Sequence, residues 1–257
     1  MITTGIPSSS STKTEVVDVM SGETCSDLDD FPLQIRGGVA ANLDGTPVVC
    51  GGLLGSSTYY QTCYKLTISG WQEFASMNEK RYQAAGVMYK NKFHVFGGYN
   101  GSSYLQTSEL ISIYGGAEYG PDLPTTVLLN HAITSINSTA SILSGGITSA
   151  TNYSPLTWYF NHETSIFSPG PSLLEGRNGH GSATCVDKVT KEKIPIVSGG
   201  YGDGYIKFDS TELLINEEWQ QGTIHGKQHV LGGFQLQFVN INQVINHLTC
   251  YKFESSH

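Results

Sequence analysis

PVVCGG (47–52), KFHVFGG (92–98), TASILSGG (139–146) and KIPIVSGG (193–200) are four forms of one segment, a short apolar run closed by two glycines. From Gly51 to Gly97 is 46 residues, from Gly97 to Gly145 is 48, and from Gly145 to Gly199 is 54. Short apolar runs bounded by glycine predict strands. Their return at intervals of about 50 residues predicts a repeat architecture, in which each unit buries its flank against the next.

The repeat extends on both sides of each diglycine. A second short strand precedes it: GGVAANL (37–43), YQAAGVMY (82–89), HAITSI (131–136) and HGSATCV (180–186). A polar loop follows it: LLGSSTY (53–59), YNGSSY (99–104), ITSATNYS (147–154) and YGDGYIKF (201–208). Then comes a third strand, YYQTCYKLTI (59–68), LQTSELISI (105–113), LTWYF (156–160) or DSTELLI (209–215). A fourth, poorer strand carries one aromatic each, Trp71, Tyr119, Phe167 and Trp219. The pairs Gly51–Gly52, Gly97–Gly98, Gly145–Gly146 and Gly199–Gly200 are expected to let backbones approach closely at positive φ. The four aromatics are expected to fill the wedge between twisted sheets.

This pattern of diglycine, TSELI-type third strand, outer aromatic and R-x-x-H-like first-strand start resembles the kelch repeat family over roughly residues 1–245. The resemblance implies an all-β fold, a kelch-type β-propeller with four complete four-stranded blades plus partial blades at both ends. The expected complete blades are 33–78, 79–124, 125–174 and 175–222. The expected partial blades are 1–32 and 232–246, and 247–257 is a tail that matches nothing. In 1–32, TKTEVVDV (12–19) matches the third strand and the inner strand is missing. Gly232–Gly233 follows Gly199 too soon and reads as the entry to a first strand. Either the two ends combine into one composite blade, or the chain is a fragment or degenerate copy of a longer propeller. The unmatched tail favours the second.

The net charge of −8, with no basic stripe, excludes a broad attraction for nucleic acid or anionic lipid. No apolar stretch is long enough for a spanning helix, and residues 1–20 do not read as a signal peptide. None of the five cysteines, Cys25, Cys50, Cys63, Cys185 and Cys250, lies in a C-x-x-C pair. Cys50 and Cys63 could meet across a hairpin, but two separate buried thiols are the favoured expectation. Sequons at Asn100, Asn137 and Asn152 leave a cytoplasmic and a secreted location both open.

Nucleophile-elbow, phosphate-loop, dinucleotide and metalloprotease motifs are absent. His225 and His229 lie in a glycine-bearing turn sequence, unsuited to a metal-binding helix, and Asp29–Asp30 reads as a solvated turn. Galactose-oxidase-type copper enzymes share the propeller scaffold, but their ligand set finds no match here. No cofactor, no metal and no catalysis are therefore expected. The expectation is a non-catalytic protein–protein interaction module that binds through its loop rim. The candidate partner-binding residues are Arg36, Arg81 and Arg177 at the starts of first strands, with Tyr99, Asn100, Tyr104, Tyr201, Asp203 and Tyr205 on the loops. Arginine forks suit a protein or peptide carrying acidic residues, but they also suit hydrogen bonding within blades. Alternatives are the substrate receptor of a ubiquitin-ligase adaptor (no BTB-like segment is present), an extracellular recognition domain, or an enzyme on this scaffold.

Overall fold

In the computed structural model, residues 2–6, 9–17, 24–25, 28–124, 129–149, 152–186 and 190–222 are described. The expected partial blade at 232–246, the tail and the His225/His229 pair lie outside them.

Four antiparallel four-stranded sheets follow one another along the chain. Their inner strands are Val39–Leu43, Ala85–Tyr89, Ala132–Ser135 and Gly181–Val186. The second strands are Thr46–Cys50, Lys92–Phe96, Ala140–Ser144 and Lys193–Ser198. The third strands are Thr62–Thr67, Ser108–Ser112, Thr157–Asn161 and Thr211–Ile215. The outer strands are Gly70–Ser76, Ala117–Tyr119, Ile166–Pro169 and Glu218–Gln221. A three-stranded sheet, Ile2–Ile6, Ser9–Val17 and Thr24–Cys25, precedes them. Each inner strand neighbours the inner strand of the next sheet, so the sheets stand radially as blades around an axis. The chain is an all-β propeller.

The burial pattern explains the sequence pattern. A second strand lies inside its sheet, and the sheet lies between two others, so both faces are covered. Thr46–Cys50, Lys92–Phe96 and Ala140–Ser144 are each buried at every position after the first. That is why these strands read as continuous apolar runs and not as alternation. The outer strands face solvent and carry mostly exposed residues.

The core is divided into layers between successive blades. Phe31, Ile35 and Val49 form the first layer, with Tyr64 and Trp71 against them. Val48, Met77, Phe93 and Ile111 belong to the next, Phe96, Ile133 and Phe160 to the third, and Ile142, Leu173 and Trp219 to the fourth. Each fully buried phenylalanine contributes about 2–3 kcal/mol.

Three of the outer-strand aromatics occupy the wedge. Trp71 packs edge-on to Phe31 and donates to Thr14 Oγ1 of the three-stranded sheet at 2.9 Å. Phe167 packs on Phe160, and Trp219 donates to Pro171 O of the preceding blade at 3.0 Å. Tyr119 does not, being 58% exposed. Ala117 opposite Ile111 holds the place that Trp71, Phe167 and Trp219 hold opposite Leu66, Phe160 and Leu214. Phe74 of the preceding blade packs against the same cluster as Ala117.

A second correction concerns cysteine. Cys50 and Cys63 face each other on paired strands, Cα to Cα 4.0 Å, and form a disulfide in place of two separate thiols. Cys185 is free and exposed.

Candidate functional site

The loops after the diglycines form small hairpins on one face of the propeller. Leu53–Leu54 pairs with both Ile35–Arg36 and Thr58–Tyr59. Tyr82, Tyr99 and Tyr104 are bridged in turn. Ile147–Ser149 pairs with Asn152–Tyr153, and Tyr201–Gly202 with Ile206–Lys207.

The pairings define one equivalent position per blade. Arg36 pairs with Leu53, Tyr82 with Tyr99, Leu129 with Ile147 and Asn178 with Tyr201. The following residues, Gly37, Gln83, Asn130 and Gly179, all have φ between +56 and +61. This left-handed step turns their amides toward the neighbouring blade. Gln83 N donates to Gly37 O at 2.8 Å, Asn130 N to Gln83 O at 3.4 Å, and Gly179 N to Asn130 O at 3.0 Å. A belt of backbone hydrogen bonds thus links the inner ends of the four complete blades at the mouth of the axis.

Arg36 sits at this mouth, exposed, and among the described residues its side chain has no hydrogen-bond or ion-pair partner. Asn178 is buried at the other end of the belt, on the fourth blade. Its amide donates to Tyr201 O at 3.4 Å and its oxygen accepts from Asn130 Nδ2 at 3.5 Å. Among the described residues, Asn130 Oδ1 is buried with no hydrogen-bond partner. An unpaired buried acceptor is costly unless a ligand hydroxyl or water meets it.

Arg81 and Arg177 do not belong to the rim. Their pairing places them level with Ile35, one residue before Arg36, and their side chains are fully buried. Arg81 donates twice to Glu109 Oε1, at 2.9 and 3.1 Å, and also to Gly97 O, Thr107 O, Thr107 Oγ1 and Glu79. Arg177 donates to Glu212 at 2.5 Å and to Gly199 O at 2.9 Å, and it lies over Phe208. The carboxylates are shared with the chain entering the blade. Glu109 accepts Asn78 N and Glu79 N, and Glu212 accepts Leu174 N. These forks are spent inside the blade, so neither arginine offers itself to a partner.

The other loop residues fall into two groups. Tyr59, Tyr82, Tyr99 and Tyr104 form a contiguous cluster, with ring centroids 6.2 Å (59–82), 5.5 Å (59–99) and 5.3 Å (99–104) apart. Asn100 builds the loop beneath them. Its Oδ1 accepts Ser102 N at 2.9 Å and Ser103 N at 2.8 Å, so its side chain shapes a turn. On the fourth blade, Asp203 and Tyr205 are exposed at the tip of the hairpin that begins at Tyr201. Asp203 accepts weakly from Tyr153 N at 3.5 Å, and Tyr205 stands 6.3 Å from the Tyr153 ring.

Four histidines lie within the blades, away from solvent. Burial holds His131 and His162 down at about 4. Burial also holds His94 and His180 at about 3, helped by the Arg81 and Arg177 charges respectively. They are neutral at pH 7. His94 Nε2 meets Ser108 Oγ at 2.9 Å, and His180 Nε2 meets Ser144 Oγ at 3.0 Å. Among the described residues no three His, Cys, Asp or Glu side chains gather as a metal site.

Sequence reasoning missed Tyr59, Tyr82, Asn130 and Asn178. The signal was the spacing to the inner strand: Arg36, Tyr82, Leu129 and Asn178 each stand three residues before Val39, Ala85, Ala132 and Gly181, which sets Arg36 level with Tyr82 and Asn178 instead of with Arg81 and Arg177.

No family model matches the chain. It is 32% identical over 133 residues to an N-acetylneuraminate epimerase of Yersinia enterocolitica (serotype O:8 / biotype 1B, strain NCTC 13174 / 8081). The match takes in 47% of this chain and 33% of that enzyme, so the chain spans about a third of its relative's length. The fold is similar to the solved structure of YjhT, with a TM-score of 0.72 and 12% identity over 86% of this chain and 80% of that one. The fold is thus that of a kelch-like β-propeller. The similarity to an enzyme overturns two expectations drawn from the sequence, that the chain is a non-catalytic interaction module and that it is not an enzyme. The absence of familiar motifs misled because a propeller gathers its polar groups from separate blades, leaving no local signature.

Proposed function

We propose that this chain is an enzyme, or a piece of one, that epimerises an acidic N-acylated sugar of the N-acetylneuraminate type at the mouth of the propeller. It is a member of the kelch-repeat group by its diglycine and TSELI-type segments. The observation that carries the reading is Arg36, an exposed guanidinium held on paired backbone at the ring opening of a chain similar to such an epimerase.

N-acetylneuraminate carries a carboxylate on the same carbon as its anomeric hydroxyl. Epimerisation at that carbon breaks the bond to the ring oxygen, passes through the open-chain ketone and closes again on the other face. A proton leaves the anomeric hydroxyl and one arrives at the ring oxygen, with no net oxidation. Arg36 binds the carboxylate bidentately, as the planar fork does best. Asn130 Oδ1 and the Asn178 amide take hydroxyl groups of the ring. Asp203, on the hairpin that starts at Tyr201, supplies the carboxylate for proton transfer.

The test is anomer exchange of N-acetylneuraminate, followed by NMR. The chain should speed it well above the buffer rate. Arg36→Ala should lower kcat/KM at least ~10-fold, about the value of one charge-assisted contact. Exchange no faster than in buffer, or full activity in the Arg36 variant, would overturn the proposal.

A further inference from the structure

The tyrosines beside Arg36 extend further than one sugar ring needs. Gly37, the residue after Arg36, lies under the Tyr82 ring: a Cβ there would fall 2.3 Å from it. The aromatic row therefore begins at the backbone that carries Arg36. From Tyr82 it passes to Tyr59, then Tyr99, then Tyr104, which is 48% exposed. Gly101 sits against the Tyr59 ring, where a Cβ would be 2.7 Å away, so the second blade's loop closes onto the first blade's tyrosine. Sugar rings stack their C–H faces on aromatic rings, one ring to one aromatic. Between Tyr82 and Tyr104, neither the hairpin Asn100–Ser103 nor Tyr59 brings a charged side chain.

From this arrangement we infer that the mouth also binds the acidic sugar as a glycoside, with a neutral oligosaccharide lying along Tyr82, Tyr59, Tyr99 and Tyr104. This rests on the proposed reading of Arg36. The geometry of the ligand supports it. The carbon that bears the carboxylate also bears the glycosidic oxygen, so an attached sugar must leave the site close to Arg36, where the tyrosines start. The uncharged wall suits a neutral ring.

The experiment is calorimetric titration of the whole chain with N-acetylneuraminate and with its lactose glycoside, sialyllactose. The trisaccharide should bind about tenfold tighter. Tyr104→Ala should bring the ratio of the two affinities close to one, and Tyr104→Trp, which keeps a stacking face, should preserve it. Arg36→Ala should weaken both ligands together. Equal affinities in the unaltered chain, or a ratio that does not respond to Tyr104→Ala, would overturn the inference and leave the Arg36 reading standing. Binding of neither ligand would overturn both.

Discussion

The two buried arginines should be replaceable as units but not singly. Arg81 and Glu109 are both inaccessible, and Glu109 also receives the Asn78 and Glu79 amides. The fourth blade repeats the unit with Arg177, Glu212 and the Leu174 amide. The first blade has Ile35, Tyr64 and Pro32 at the same three places, with Ile35 and Tyr64 in one apolar cluster. A proline there has no N–H to satisfy, so loss of the carboxylate strands no donor. The third blade has Trp158 and Pro124 at two of these places. Removing one partner leaves a buried charge uncompensated, so Arg81→Ile or Glu109→Tyr alone should each cost about 3–5 kcal/mol. The double variant copies the first blade and should cost only about 1–2 kcal/mol, mostly from the Asn78 and Glu79 amides, which lose Glu109 but lie near enough to solvent to find water. Adding Asn78→Pro should recover part of that. Urea unfolding at pH 7, followed by tryptophan fluorescence, measures all four variants. The coupling energy expected is several kcal/mol. If the double variant costs as much as the two single changes added together, the paired-unit reasoning is wrong.

Two further outcomes are expected. The buried histidines take up protons near 6.5 when unfolded but only at about 3 to 4 when folded. The unfolded chain therefore binds more protons between those values, and stability should fall as pH drops from 6.5 toward 4, by up to about 1.4 kcal/mol per pH unit for each histidine. Urea midpoints at pH 7, 6 and 5 check this, and His131→Ala with His180→Ala should flatten the slope. Gly145→Ala should cost about 3 kcal/mol, since φ is +62° and the new Cβ would lie 2.4 Å from Arg177 O. Gly55→Ala, at a similar φ but in open space, should cost about 1 kcal/mol, and thermal melts of the two separate clash from backbone strain.

The strands were legible because their burial is a local property of the chain. A run such as Val48–Val49–Cys50 followed by two glycines can only be a covered strand ending in a sharp turn. Tyr119 was misread because an aromatic near the right place in the sequence need not have the right partner across the sheet. Ala117, opposite Ile111, does. Arg81 and Arg177 were misread because an arginine on a loop-side strand looks the same in sequence whether its fork meets water or Glu109 and Glu212.

Repeat spacing, glycine punctuation and apolar runs were enough to establish an all-β propeller, because each of these acts within one blade and recurs in the next. The mouth could not be read that way. Its groups, Arg36, Tyr82, Asn130 and Asn178, come from four blades. They are set along one belt because residues with left-handed backbone pass hydrogen bonds from one blade to the next. Which arginine reaches solvent and which is consumed depends on a one-residue offset against the blade's own hairpin and on whether the third strand turns a carboxylate, Glu109 or Glu212, toward it, a contact that exists only once the blade is folded.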